Sequence, residues 1–281
     1  MSASAPRLYV SADIEGIVGV TSYAQTQPGA FEYDSARVWM TQSVIAAAEA
    51  ALASGYREVV VSDSHHNGQN ILLDRMPDHV QLVRSWPRPL SMMQGIEAGA
   101  FNAAALIGFH TGSTTASGVL AHTYSGNIHD IRVNGVSYTE TTICAAIAGH
   151  FGVPVVMVSG DDAYCAEARS ILGDVEVAEV KKALGREASL NPSPAVAYER
   201  IRSALKRALH DPSRFAVFRA PAPIELEIAF RHHLQAELMG LLPIFRRTSA
   251  HEVRGTFKDI LEVTRILEFH GHAGRLHKPY G

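Results

Sequence analysis

The segment Arg7-Leu-Tyr-Val-Ser-Ala-Asp13-Ile-Glu15-Gly16 decides how the chain folds. Residues 7–14 form a short apolar run. Gly16-Ile17-Val18-Gly19 and a polar stretch with Pro28-Gly29 follow, so the segment reads as a strand running into a loop. A helix is expected over 35–55, where Asp34 or Ser35 can cap it, alanines favour it and Gly55 stops it. The order then recurs. Residues 58–62 read as a β-branched strand with a polar loop over 63–69, and 103–109 is an apolar run ending at His110-Thr111-Gly112. After a glycine- and serine-rich stretch come a strand over 128–133, a helix over 139–150 and a strand over 153–159 that ends in Gly160-Asp161-Asp162. This repetition predicts an α/β fold with a mostly parallel sheet flanked by helices. Such sheets carry their working residues beyond the carboxyl ends of the strands.

From Asp174 the texture changes to a charged segment, a break at Pro192 and Pro194, a basic helix over 196–210 and an antiparallel-type strand over 221–230. The expectation is an α/β catalytic domain over 1–190 and a smaller α+β portion over 191–281, suited to oligomerisation.

The 281 residues carry 25 Lys+Arg against 28 Asp+Glu, a net charge of −3. That balance lacks the basic excess of a nucleic-acid or anionic-membrane binder. With 47% hydrophobic and 19% charged residues, the chain can bury a large core. No apolar run reaches the roughly 18 residues of a membrane span, and no signal-like core opens the chain. The two isolated cysteines make neither a disulfide framework nor a thiolate zinc site, so a cytoplasmic setting is expected. Any metal would need imidazole and carboxylate ligands, which suits zinc, manganese or iron, and 14 histidines are available.

The sequence contains no G-x-G-x-x-G, no phosphate-binding G-x-x-x-x-G-K-[ST], no G-x-S-x-G elbow and no H-E-x-x-H helix. Dinucleotide oxidation, nucleotide hydrolysis and the common zinc-helix proteases lose support together. What recurs is imidazole and carboxylate where a strand stops. Asp13 and Glu15 share one face at the end of the first strand, Asp63 and His65 repeat that spacing after the second, and His110 follows the third. His122 lies in a glycine-rich loop, Glu140 opens a helix, and Asp161-Asp162 closes another strand. On one sheet rim these residues would hold a divalent-metal site with ligands enough for two ions.

Each also has a structural reading. Asp13 and Glu15 could serve a turn, Asp63 could close an Asx-turn or orient an imidazole, and Glu140 stands where a helix dipole favours a carboxylate. Asp161 and Asp162 read as N-cap and first-turn residues. Ser62-Asp63-Ser64-His65 is too compact in sequence for a serine triad, which assembles in space. His270 and His272 lie in a Gly-rich tail without a nearby carboxylate and read as surface.

Asp13-Ile-Glu-Gly, Ser62-Asp-Ser-His65, Gly108-Phe-His110, Gly118-Val-Leu-Ala-His122 and Glu140, followed by Val153-Pro-Val-Val-Met-Val-Ser-Gly-Asp-Asp162, resemble the M55 peptidase family in order and spacing over essentially the whole chain. That resemblance implies a zinc-dependent aminopeptidase with two zinc ions per chain, acting on short peptides with a D-configured N-terminal residue, in a ring-like homo-oligomer. It further implies that Asp13 bridges the two metals, that Glu15 and His110 complete one site, and that His65 and Glu140 complete the other. His122 matches the family's catalytic histidine, assigned as a nucleophile. A hydroxide attack assisted by His122, through oxyanion polarisation or proton transfer, is equally consistent with two-metal hydrolysis. The tail after Phe269 does not match the family. Competing readings are an amidase or aminopeptidase without D-specificity, a metal phosphoesterase, and a non-catalytic metal-stabilised peptide binder.

Overall fold

The computed structural model describes residues 5–272. The chain runs through β1 (Arg7–Ala12), α1 (Tyr33–Ala53), β2 (Glu58–Asp63), β3 (Val80–Val83), β4 (Ala103–Ile107), β5 (Ile128–Val133) and β6 (Val136–Ser137). It continues with α2 (Glu140–His150), β7 (Val155–Asp161), α3 (Asp162–Leu172), β8 (Glu176–Gly185), β9 (Ala188–Leu190) and α4 (Pro194–His210). The last elements are β10 (Ile224–Phe230), α5 (His233–Met239), β11 (Arg246–Arg247), β12 (Glu252–Phe257) and α6 (Ile260–His272).

Seven strands form one sheet in the order β3-β2-β1-β4-β7-β8-β9, parallel throughout except for the β8–β9 hairpin. Five more form an antiparallel sheet, β11-β12-β10-β5-β6. The expected α/β architecture is therefore present. Alternation along β1 explains the layering: Leu8, Val10 and Ala12 pack with the alanine-rich face of α1 and with α4, while Tyr9 points to the opposite core with α2 and the antiparallel sheet. The chain passes between the two sheets three times, after β4, after β6 and after β9. β5 and β6 precede residue 190 yet belong to the antiparallel sheet, whereas α4 follows it and packs on the parallel one.

Sequence order reverses at β1. The chain builds β2 and β3 on one side of β1 and then returns to place β4 on the other, and ligands gather at such a switch point. The two loops that leave there touch backbone to backbone, with Gly16 N donating to Gly108 O at 2.8 Å. A Cβ on Gly16 would sit 1.9 Å from the Phe109 carbonyl oxygen, so only glycine permits this approach.

Several local expectations differ from the structure. Asp34 and Ser35 do not cap α1; its N-cap is Glu32, in the left-handed region at φ 59° and without a side-chain cap bond. The charged segment after Asp174 is a ten-residue strand, β8, because its apolar residues contact β7 while Glu179 and Lys182 face out. The presumed Gly-rich tail through His272 is the end of α6.

Candidate metal centre

β1 delivers Asp13 and Glu15, β2 delivers His65, β4 delivers His110, the loop before Ser125 delivers His122, and the first residue of α2 is Glu140. All but His122 are buried, and all of them gather at the switch-point rim. Thr139 caps α2 through its hydroxyl, accepting from Thr142 N. Glu140 is thereby released from capping: its Oε1 accepts from Tyr124 N at 2.6 Å and its Oε2 faces His110.

The ligand-type atoms fall into two triads, Asp13 with Glu15 and His65, and His110 with His122 and Glu140. His65 Nδ1 stands 3.1 Å from Asp13 Oδ1 and 3.0 Å from Glu15 Oε2. His110 Nε2 stands 3.5 Å from Asp13 Oδ2 and 3.5 Å from Glu140 Oε2. β2 lies beside β1 on one side and β4 on the other, so the two imidazoles approach Asp13 from opposite sides. Among the described residues Asp13 forms an ion-pair contact with both His65 and His110, one oxygen to each.

Each imidazole is oriented by a backbone carbonyl. His65 Nε2 is 2.8 Å from Thr26 O, His110 Nδ1 is 3.0 Å from Thr111 O, and His122 Nδ1 is 2.9 Å from Leu120 O. A carbonyl only accepts, so each of these ring nitrogens carries the proton. The opposite nitrogen of each ring then points at carboxylates. As a lone pair it would repel them, and two arrangements resolve that conflict: a second proton on the ring, or a cation between ring and carboxylate. Glu15 Oε2 and His110 Nε2, although close to oppositely charged groups, are among the buried polar atoms that make no hydrogen bond among the described residues. Orphaned ligand atoms of this type fit zinc, whose usual donors are imidazole nitrogen and carboxylate oxygen.

The titration behaviour agrees. Burial pulls the His65 and His110 imidazoles down, but Glu15 and Asp13 around the first, and Glu140 and Asp13 around the second, hold both well above the ordinary histidine value. Glu15 and Glu140 are buried, which raises them, yet the facing histidines bring both below the usual carboxylate range. Asp13 goes the other way, raised by burial and by the neighbouring Glu15 charge. One carboxylate between two groups and beside a second carboxylate is crowded with negative charge, which divalent cations neutralise.

Other residues highlighted by spacing serve the scaffold. Asp63 accepts from Asn70 N, Asn70 Nδ2 and Ile71 N and closes the loop after β2. Asp161 is the N-cap of α3, accepting from Tyr164 N, and also accepts from Val119 N. His272 does have a carboxylate neighbour: its Nε2 is 3.0 Å from Glu268, and both line the cavity above the triads, contrary to their reading as a surface tail. His270 also lies outside that reading: it is partly buried, with its ring 5.1 Å from Phe230, and burial lowers its pKa. His66, beside His65, lines the same cavity of about 410 Å³.

Sequence reading missed Lys181 on β8. Its ammonium is buried and donates to the carbonyls of Glu15, Ile17 and Val20, which draws the loop after β1 around a fixed cation. Burial brings this lysine down to about 7, opposed by Asp161 and Glu15. The adjacent pair Lys181-Lys182 was the available signal, because neighbouring residues of a strand face opposite layers and one of the two must turn inward.

A sequence model of the M55 peptidase family, described as D-aminopeptidase, matches residues 7–269. The D-aminopeptidase of Bacillus subtilis (strain 168) is 30% identical over 262 residues, covering 93% of this chain and 95% of that protein. The solved structure of the Zn-dependent D-aminopeptidase DppA from Bacillus subtilis, described as a self-compartmentalizing protease, superposes with a TM-score of 0.90 at 27% identity, covering 98% of this chain and 100% of that one. The chain therefore belongs to the M55 family of D-aminopeptidases, enzymes that hydrolyse peptide bonds.

Proposed function

We propose that this chain is a zinc-dependent aminopeptidase that removes an N-terminal, D-configured residue from short peptides. Its two-ion centre is built from Asp13, Glu15, His65, His110 and Glu140, with His122 as the catalytic residue. The carrying observation is Asp13: its two oxygens face His65 at 3.1 Å and His110 at 3.5 Å, one in each triad, as a bridging carboxylate must. The similarity to a zinc-dependent D-aminopeptidase supports both the metal and the stereochemistry.

Zinc bound there would polarise the scissile carbonyl and lower the pKa of water to about 7. The chain's own groups supply the rest. Glu15, Glu140 and Asp13 carry the negative charge that retains the cations, and the three backbone carbonyls fix the imidazole tautomers. His122 is the partly exposed member, stacked on His110 at 4.1 Å between ring centroids, and it presents Nε2 toward Glu140 and the cavity. From there it donates or accepts a proton at the scissile group.

Assembly into a ring-like homo-oligomer belongs to the same proposal, with residues 191–281 contributing contacts. Leu234, Leu238, Leu241 and Ile244 are all exposed on and after α5, an apolar patch that a second copy would cover. Among the described residues no helix is long and apolar enough to cross a membrane. The two buried free thiols, Cys144 and Cys165, suit a reducing cytoplasm.

The test is a zinc-supplemented hydrolysis screen on paired D- and L-aminoacyl peptides and amides, with an aryl phosphate ester as control. Amine release from the D-series is expected. Turnover of the phosphate ester alone, or of L-peptides in preference to D, would overturn the reading.

A further inference from the structure

We propose that Arg186 is a specificity-determining residue: its guanidinium receives the C-terminal carboxylate of a dipeptide bound across the metal centre. The inference rests on the aminopeptidase reading and names the substrate length that the site prefers.

Arg186 sits in the tight turn between β8 and β9 and lines the cavity. Two hydrogen bonds tie it to the loop that carries His122. Arg186 Nη1 donates to Ala121 O at 2.6 Å, and Leu120 N donates to Arg186 O at 2.8 Å. The guanidinium is thereby fixed at the peptide unit directly preceding the catalytic histidine. A dipeptide places its terminal carboxylate one residue beyond the scissile carbonyl. Arg186 and His122 line the same cavity, so the cation and the histidine face the same bound substrate.

Charge decides the same way. The acidic side chains lining the cavity are Asp13, Glu15, Glu140 and Glu268, all of which repel a carboxylate. Arg186 is the only arginine or lysine among the described residues that line it. No carboxylate pairs with Arg186 among the described residues, and a single bond to Ala121 O leaves most of its five N–H donors for an incoming anion. A planar guanidinium matches the two oxygens of a carboxylate, which a lysine at the same place would not. The cavity thus offers acidic side chains for the ammonium end of a zwitterionic dipeptide and an arginine for the carboxylate end, whereas an amino-acid amide has no carboxylate to give Arg186.

The experiment compares the zinc-loaded full chain with Arg186→Gln and Arg186→Lys on D-alanyl-D-alanine and on D-alanine amide. The parent is expected to favour the dipeptide in kcat/KM. The dipeptide-to-amide ratio should fall about tenfold or more in Arg186→Gln, chiefly through KM for the dipeptide, with partial recovery in Arg186→Lys. A variant that loses both activities in proportion, leaving the ratio as in the parent, would assign Arg186 to supporting the His122 loop and overturn the inference with the aminopeptidase reading intact. A parent that hydrolyses neither substrate fails the reading itself, and the inference falls with it.

Discussion

His110 and His122 stack face to face, 4.1 Å between ring centroids and 10° from parallel, with Glu140 at the edge of both. The rings are similar, but their surroundings are not. His110 is fully enclosed and also faces Asp13, whereas His122 keeps about a quarter of its side chain open to the cavity and faces Glu140 alone at 3.8 Å. A ligand is best enclosed, and a proton carrier must reach substrate.

The difference predicts the behaviour of His122→Gln. Turnover should fall by about 10² to 10⁴, the range for removing a positioned acid or base, while zinc content and thermal stability stay near the parent's. Elemental analysis beside steady-state kinetics checks this. A variant that loses one zinc equivalent would make His122 a ligand.

The pH dependence of the metal-free chain follows from His65 and His110. Both are raised in the folded state, so their stabilisation is complete below the unfolded value of about 6.5 and is lost as pH climbs from there through the folded values. Glu15 and Glu140 act in the opposite sense only below the ordinary carboxylate range. Lys181, brought down to about 7, opposes the histidines from that pH upward, so the histidine contribution is read in Lys181→Met, whose Tm with chelator present should decline as pH rises above about 6.5. Zinc must displace those same protons, so the Tm gained on adding zinc should grow over that window. Calorimetric scans across pH with and without zinc decide it, and a metal-free Tm of that variant that rises there would contradict the account.

Lys181→Met tests the scaffold beneath the site. The substitution removes the donor shared by the carbonyls of Glu15, Ile17 and Val20 and leaves them buried without it. A loss of about 3 kcal/mol is expected, together with weaker zinc retention as the Asp13–Glu15 loop relaxes. Chemical denaturation and zinc titration measure both. Parent-like values in each would remove Lys181 from the site's support.

Legibility in the sequence varied with the range of the interaction. Strand ends were visible because apolar runs stop abruptly, and Asp13, Glu15, His65 and His110 each follow such a stop directly. β8 was hidden because Glu176, Glu179, Lys181 and Lys182 make a strand look like a solvated segment, although its burial comes from neighbours more than ten residues away. Which imidazole stands beside which carboxylate depends likewise on the spatial order β2-β1-β4, which linear spacing does not encode. Glu140 shows the converse: its place at a helix start invited a dipole explanation, and only the capping bond of Thr139 shows that the carboxylate was free for other work.

If Asp13 joins Glu15 and His65 to His110 and Glu140 in one binuclear centre, zinc stoichiometry in Asp13→Ala reports it. By the two-metal argument the reconstituted parent should hold about two zinc ions per chain, and the variant should lose both together, whereas His110→Ala should chiefly weaken one. Full two-ion occupancy in Asp13→Ala would contradict the account.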